Sequence, residues 1–134
     1  MTVLKHETVA VRTDTDIVHV RHLVREWARQ QGFSLVEQTK IVTAASELAR
    51  NTVRYGGGGT LRLEVLNHGV RYGLQLTFED RGPGISDIEL AMKDGYTTSG
   101  GLGLGLGGAK RLSHEFDIVS RPGEGTRVRI AQWK

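Results

Sequence analysis

The 134 residues carry 25% charged and 38% hydrophobic side chains, a composition that fits a single globular domain over residues 1–134 and argues against disorder. The chain has no cysteine, which excludes disulfides, thiolate nucleophiles and cysteine metal sites, and its net charge of +3 comes from scattered Lys and Arg that alternate with acids. We therefore expect no nucleic-acid partner. No apolar run approaches the roughly 18 residues of a membrane span, and the N-terminus lacks the apolar core of a signal peptide, so we expect a cytoplasmic protein without a membrane partner.

The first third of the chain predicts a strand and then a helix. Val9 and Val11 alternate with other residues in the way that is typical of a strand. Either Asp14 or Thr15 is the expected N-cap of the helix that follows, and apolar residues then recur at helical spacing. Gly32 is expected to end this helix.

A second helix and a hairpin follow. Ser34 is its expected N-cap, with Glu37 three residues later as the capping-box partner, and the helical pattern extends to about Tyr55. Two alternating runs, 60–66 and 72–79, then predict antiparallel strands joined by a tight loop.

The rest of the chain predicts a short helix capped by Ser86, a mobile loop at 94–101, a helix from about Leu104 to His114, and a final strand pair at 116–121 and 126–133. This order of elements predicts an α+β protein. We expect a two-layer α/β sandwich in which helices cover one face of a mixed, mostly antiparallel sheet.

The polar side chains of the second helix form one stripe. Six of them fall within about 60° of Glu47 at the helical spacing of about 100° per residue. A solvated outer face is one interpretation, but Glu47 and Asn51 stand one turn apart and can serve one ligand. An asparagine carbonyl suits Mg²⁺ that is already held by phosphates and water, a glutamate can act as a base, and Arg54 can reach phosphate oxygens. The six residues are Lys40, Thr43, Glu47, Arg50, Asn51 and Arg54.

A first glycine segment, residues 80–85, directly follows a predicted strand. Asp, Pro and Gly are ordinary turn residues, so a simple turn is one interpretation. The other is a base-binding site, in which Asp80 accepts a hydrogen bond from an exocyclic amine and the glycines let the base pack flat against the backbone.

A second glycine segment, residues 100–108, holds six glycines in nine positions. Glycine inside a helix costs about 1 kcal/mol relative to alanine, so a function must require the bare backbone. A glycine-rich entry to a helix leaves N–H groups available to an anion. The spacing of Gly103, Gly105 and Gly108 matches a dinucleotide motif, but no strand precedes it, and a Walker A loop is absent. The histidines lack metal-site spacing, and Ser99 lacks the context of a nucleophilic serine.

In this order the motifs resemble those of the GHKL superfamily of ATPases, named for gyrase, Hsp90, histidine kinases and MutL. The N box of that superfamily is similar to residues 47–51, its first glycine box to residues 80–84 and its second to residues 101–105. Gly125 and Thr126 resemble a later glycine-threonine element. Within the superfamily, residues 94–118 resemble the serine/threonine kinases of bacterial partner-switching (stressosome) systems, which act in stress signalling.

The resemblance implies a Bergerat-type ATP-binding fold with ATP between helices and a flexible lid at 94–101. It implies that Asn51 binds Mg²⁺, that Glu47 is the catalytic base and that Asp80 contacts adenine with help from the hydroxyl of Thr126. The other residues that it implies for the nucleotide site are Arg54, Gly82, Gly84, Ile85, Thr98, Ser99, Gly101, Gly103, Leu104, Gly105 and Leu106.

The resemblance also implies partners. The phosphate acceptor would be a serine or threonine of a STAS-domain antagonist or scaffold protein, after which the released kinase would activate a downstream phosphatase. In related kinases that bind sigma factors, an arginine near the start of the second glycine box contacts the terminal phosphate, whereas this chain has residues 99–101, Ser-Gly-Gly. Arg54 or Lys110 is a candidate replacement. The alternatives are an anti-sigma factor kinase that binds sigma directly and a noncatalytic ATP-dependent binding module.

Overall fold

The computed structural model describes residues 1–92 and 105–134. One strand, two helices, a strand pair, two short helices and a second strand pair follow one another along these residues, in the order that the sequence predicts. The elements are β1 (Thr2–Val11), α1 (Asp14–Gln30), α2 (Leu35–Arg54), β2 (Gly59–His68), β3 (Arg71–Asp80), α3 (Ile88–Ala91), α4 (Leu106–Leu112), β4 (Glu115–Arg121) and β5 (Gly125–Trp133).

Within the described residues the strands form one five-stranded sheet in the order β1-β2-β3-β5-β4, and every pairing is antiparallel. Both predicted hairpins, β2-β3 and β4-β5, are confirmed. The expectation of a mixed sheet was wrong in this respect. The chain passes through the edge strand β4 and turns back into β5, so β5 meets β3 in the antiparallel direction.

Helix α1 begins one residue earlier than the expected caps allow. Its N-cap is Thr13, whose hydroxyl accepts a hydrogen bond from the N–H of Asp16 at 3.1 Å. The Asp16 carboxylate in turn accepts from the N–H of Thr13 at 3.2 Å and from that of Arg12 at 2.9 Å. The expectation of Asp14 or Thr15 was wrong, because the capping box requires an acid three residues after the cap and Asp16 stands at that distance from Thr13. These N–H groups, Arg12 first, lower the pKa of Asp16.

Helix α2 has the capping box that the sequence predicts. Ser34 accepts from the N–H of Glu37 at 3.2 Å, and the Glu37 carboxylate accepts from the N–H of Ser34 at 3.1 Å. The buried face of the helix is apolar apart from Gln38 and Thr52, as the periodicity predicts. Its buried residues are Gln38, Ile41, Val42, Ala44, Ala45, Leu48, Ala49 and Thr52.

The two short helices begin at other residues than expected. Asp87, and not Ser86, caps α3, because its carboxylate accepts from the N–H of Leu90 at 3.0 Å. Helix α4 begins at Leu106, after Gly105 in a left-handed conformation with φ of 67°, and ends at Leu112 rather than at His114. The expected start at Leu104 lies outside the described residues.

The helices cover one face of the sheet, and the core lies between them and β1, β2, β3 and β5. The largest fully buried side chains are Leu48, Leu61, Leu63, Leu66, Leu74, Leu76, Ile130, Val11, Val20 and Val24. The opposite face of the sheet carries a polar network centred on Arg129, which contacts Gln75 at 2.8 Å, Glu115 at 3.2 Å and also Asp117. The predicted α+β sandwich with helices on one face is therefore confirmed. None of the helices in residues 1–92 and 105–134 is both long and apolar enough to span a membrane.

Candidate nucleotide site

A cavity of about 270 Å³ lies between α2, α3 and the helix-facing side of β3 and β5. Its walls are mainly apolar, with a few polar groups at defined positions, which is typical of a pocket for a small ligand with a flat apolar part. The lining residues are Leu48, Asn51, Thr52, Tyr55, Gly56, Phe78, Asp80, Pro83, Gly84, Ile85, Ser86, Asp87, Leu90, Ala91, Leu106, Thr126 and Val128.

Asp80 supplies a carboxylate to this cavity from the last position of β3. It accepts a hydrogen bond from the N–H of Gly82 at 2.9 Å, which turns the chain sharply after the strand. Burial raises the pKa of the Asp80 carboxyl above its ordinary value, while hydrogen bonds from the N–H groups of Gly82 and Thr126 oppose the rise. The structure thus places the predicted adenine-contacting residue in the cavity wall.

Gly56 is a site residue that the sequence analysis missed. The carbonyl oxygen of Asn51 accepts from the N–H groups of Tyr55 at 2.9 Å and Gly56 at 3.0 Å, and this turns the chain at the end of α2. A Cβ on Gly56 would lie 2.6 Å from Cβ of Asp80, and a Cβ on Gly82 would lie 2.7 Å from Cα of Gly56. The run of glycines at 56–59 predicted only the end of a helix, and nothing in the local sequence indicated that one of them packs against Asp80.

Gly84 and the turn between β4 and β5 close the cavity at the same end. Gly84 has φ of 75°, and a Cβ there would collide with the carbonyl oxygen of Arg121. The N–H of Gly123 donates to the carbonyl oxygen of Pro83 at 2.7 Å. The first glycine segment therefore follows the shape of the β4-β5 turn, and Gly84 and Ile85 lie in the cavity wall as expected.

Glu47 and Asn51 stand one turn apart on α2, as predicted. The Glu47 side chain is 33% exposed and forms an ion pair with Arg50, with Oε1 and Nη1 3.0 Å apart. A Cβ on Gly105 would lie 2.6 Å from Oε2 of Glu47, so the last residue of the second glycine box is in close contact with this carboxylate. Asn51 lines the cavity, whereas Glu47 lies beside Gly105 and outside the cavity lining.

Arg54 lies elsewhere. Its Nη2 is 3.5 Å from Oδ1 of Asp14 in α1, both side chains are exposed, and Arg54 is not among the residues that line the cavity. Leu106 and Thr126 do line it. The remaining predicted site residues, Thr98, Ser99, Gly101, Gly103 and Leu104, and the expected lid at 94–101, lie outside the described residues.

The described part of the chain contains no cluster of three or more His, Asp or Glu side chains arranged to hold a metal ion. Asn51 lines the cavity, and its amide oxygen could serve as one protein ligand of a hard cation whose other ligands are a phosphate group and water. Mg²⁺ is commonly bound in this way, because it keeps several waters and prefers oxygen.

The fold and the cavity define a nucleotide-binding domain, and comparison with known proteins gives its class. A family model described as "Histidine kinase-, DNA gyrase B-, and HSP90-like ATPase" matches residues 36–134, and the chain belongs to this family. The predicted superfamily and its nucleotide, ATP, are thereby confirmed.

The chain is 47% identical over 125 residues to the serine/threonine-protein kinase RsbT of Bacillus subtilis, with 93% of this chain and 94% of that protein covered. It is 30% identical over 118 residues to an anti-sigma F factor of Thermoanaerobacter sp., with 84% and 82% covered. The crystal structure of the SiaB-SiaC complex from Pseudomonas aeruginosa matches with a TM-score of 0.63 at 13% identity, covering 96% of this chain and 89% of that one, which shows a shared fold. The two sequence relatives confirm the predicted class of enzyme, a serine/threonine protein kinase of the partner-switching type.

Proposed function

We propose that this chain is a cytoplasmic kinase that binds Mg-ATP in the cavity and transfers the terminal phosphate to a serine or threonine of a STAS-domain protein. One observation carries the proposal. Helix α2 places Asn51 in the cavity wall and Glu47 one turn away beside Gly105, so that one helix connects the cavity with the second glycine box.

The base of ATP would enter the apolar part of the cavity and meet Asp80 and Thr126 at its closed end. A partly buried carboxylate that already accepts from two N–H groups is rigidly held, and its remaining lone pairs can accept from an exocyclic amine. Gly56 and Gly84 allow the backbone to approach closely at this end.

Asn51 would hold Mg²⁺, which offsets phosphate charge when bound. Glu47 would accept the proton of the attacking hydroxyl, and its ion pair with Arg50 fixes the direction of the carboxylate. The backbone of Gly101, Gly103 and Gly105 would approach the phosphates, together with Thr98, Ser99 and Leu104. Arg54 would have to leave Asp14 in order to contact a phosphate oxygen.

Two findings support the proposed acceptor: residues 94–118 resemble the kinases of partner-switching systems, and the chain is 47% identical to the serine/threonine-protein kinase RsbT over most of both chains. The acceptor would be a STAS-domain antagonist or scaffold, and phosphorylation would break its complex with the kinase. The released kinase would then bind and activate a downstream phosphatase.

The experiment is a transfer assay with the purified chain, ATP labelled on the terminal phosphate, Mg²⁺ and a panel of STAS domains. We expect label on a serine or threonine of at least one domain. Glu47→Gln should abolish transfer and leave ATP binding intact, while Glu7→Gln, an exposed control on β1, should behave as wild type. No transfer to any domain, or transfer that survives Glu47→Gln, would contradict the kinase mechanism.

The 30% identity to an anti-sigma F factor favours one second candidate, a kinase that also captures a sigma factor directly. A pull-down with sigma factors and STAS domains in parallel separates the two, because the proposed switch kinase retains only the STAS domain. Nucleotide-dependent binding without any phosphate transfer would instead indicate a noncatalytic module.

A further inference from the structure

Ser120 in β4 connects three parts of the nucleotide site without lining the cavity itself. Its Oγ accepts a hydrogen bond from the N–H of Ile85 at 2.8 Å, in the first glycine segment. It donates to the carbonyl oxygen of Gly125 at 3.0 Å and lies 2.7 Å from Oγ1 of Thr126. One half-buried hydroxyl thus joins β4, β5 and the loop that forms the cavity wall.

The proton positions in this group follow from what each atom can do. A serine hydroxyl has one proton and two lone pairs. The Gly125 carbonyl can only accept a hydrogen bond, so the Ser120 hydroxyl donates its proton to it. The Ile85 N–H can only donate, so it occupies one of the two lone pairs of the Ser120 oxygen. The remaining lone pair of Ser120 faces Thr126, and this short contact is a hydrogen bond only if Thr126 is the donor.

The Thr126 hydroxyl therefore uses its proton on Ser120 and has only lone pairs left for a ligand. Thr126 and Asp80 both line the cavity, and they face each other across paired positions of β3 and β5. An ionised carboxylate also only accepts. This end of the cavity then offers acceptors from both side chains and suits a ligand group that donates, such as an exocyclic amine.

We propose that Ser120 is a positioning residue that sets nucleotide specificity: by holding the Thr126 proton, it makes the base end of the cavity favour a purine with an amine at position 6 over one with a carbonyl there. The proposal rests on the proposed function, since it assumes that the base of a nucleotide occupies this cavity. A carbonyl oxygen at position 6 would meet the lone pairs of Thr126 and Asp80, and a buried acceptor without a donor is costly. Without Ser120, the Thr126 hydroxyl is released to rotate and to donate.

The test compares ATP with ITP, which share their phosphates and ribose: ATP has an amine at position 6 and an unprotonated N1, whereas ITP has a carbonyl at position 6 and a proton on N1. The dissociation constants of ATP and of ITP, both in the presence of Mg²⁺, are measured for the wild type, for Ser120→Ala and for a matched control, Ser113→Ala. Ser113 is also a half-buried serine with a backbone hydrogen bond, to the carbonyl oxygen of Ala109 at 2.8 Å, but it does not line the cavity or contact Thr126.

We expect the wild type and Ser113→Ala to share one preference for ATP over ITP, and Ser120→Ala to reduce that preference by about tenfold, the effect of one mispaired hydrogen bond. Equal weakening of ATP and ITP binding in Ser120→Ala would overturn the proposal, since loss of packing alone predicts that result.

If Ser120→Ala does not fold, the Thr126→Val variant provides the test. The proposal then expects weaker ATP binding with ITP binding unchanged, and an equal loss of binding for both nucleotides contradicts it. A wild type that binds neither nucleotide would instead refute the proposed function.

Discussion

The backbone of Gly56 lies directly against the side chain of Asp80, so that a Cβ on Gly56 would come within 2.6 Å of Cβ of Asp80. Contacts this short do not occur between carbon atoms that are not bonded, and the carboxylate would have to move. The end of α2 and the end of β3 therefore fit together only with glycine at position 56.

Gly56→Ala is expected to displace Asp80 and to weaken ATP binding by about tenfold or more, because a misplaced carboxylate loses its hydrogen bond to the base. Isothermal titration with ATP measures the effect. Gly108→Ala is the control: the nearest atom to a Cβ there is Nη2 of Arg111 at 3.9 Å, and alanine in α4 should raise the free energy of unfolding by up to about 1 kcal/mol. Normal ATP affinity in Gly56→Ala would show that the contact is not needed for binding.

Asp80→Asn should change how stability depends on pH. Burial raises the pKa of Asp80 in the folded state, so the folded chain binds this proton more tightly than the unfolded chain, whose carboxyl has the ordinary pKa of 3.8. The contribution of Asp80 to the free energy of unfolding is therefore largest below that value and falls as pH rises through the folded pKa. Asparagine does not titrate, so the Asp80→Asn variant lacks this decrease in the free energy of unfolding.

Urea unfolding of the nucleotide-free proteins across this pH range measures the difference. We expect Asp80→Asn to gain stability relative to wild type as pH rises from below 3.8 to neutrality, and to lose ATP affinity at neutral pH. A stability difference that stays constant with pH would contradict the buried position of this carboxyl.

Arg54→Ala tests whether this arginine contacts the terminal phosphate. Its ion pair with Asp14 joins side chains that are 42% and 79% exposed, and such a surface pair contributes at most about 1 kcal/mol, so Arg54 can leave it at little cost. We expect Arg54→Ala to weaken ATP binding about tenfold and to leave ADP binding nearly unchanged, since a charged hydrogen bond to the terminal phosphate is lost. Lys110→Ala is measured beside it, and an ATP-specific loss in that variant alone would assign the role to Lys110.

Thr13→Ala and Thr15→Ala form a matched pair for the start of α1. Thr13 accepts from the N–H of Asp16, whereas Thr15 lies within the helix. We expect Thr13→Ala to lower the free energy of unfolding by about 1 kcal/mol and Thr15→Ala to leave it nearly unchanged or slightly raised. Thermal unfolding of both variants measures this, and a larger loss in Thr15→Ala would restore the cap that the sequence predicted.

The features predicted from the sequence are those with a short-range cause. The capping box of Ser34 and Glu37 spans three residues, the stripe that contains Glu47 and Asn51 follows from helical geometry, and both hairpins join adjacent runs. The error at the start of α1 was also local, because Thr13, Asp14 and Thr15 can all cap a helix and only Thr13 has an acid three residues later.

The features that were missed depend on contacts between distant parts of the chain. Gly56 packs against Asp80, and Ser120 accepts a hydrogen bond from Ile85, which is 35 positions away in the sequence. Neither residue has an unusual local pattern, since glycine after a helix and serine in a strand are common. The position of β5 between β3 and β4 likewise results from packing and not from propensity. The roles of Glu47, Asn51, Arg54 and the glycines beyond position 100 stay predictions.

The place of β5 in the sheet has a consequence for synthesis on the ribosome. Thr126 and Val128 form part of the cavity wall and belong to the strand that follows every other described element in the chain. A nascent chain that still lacks β5 has neither this wall nor the strand that pairs with both β3 and β4. Such a chain lacks part of the proposed base pocket, and we expect it to bind nucleotide only after translation has passed this strand.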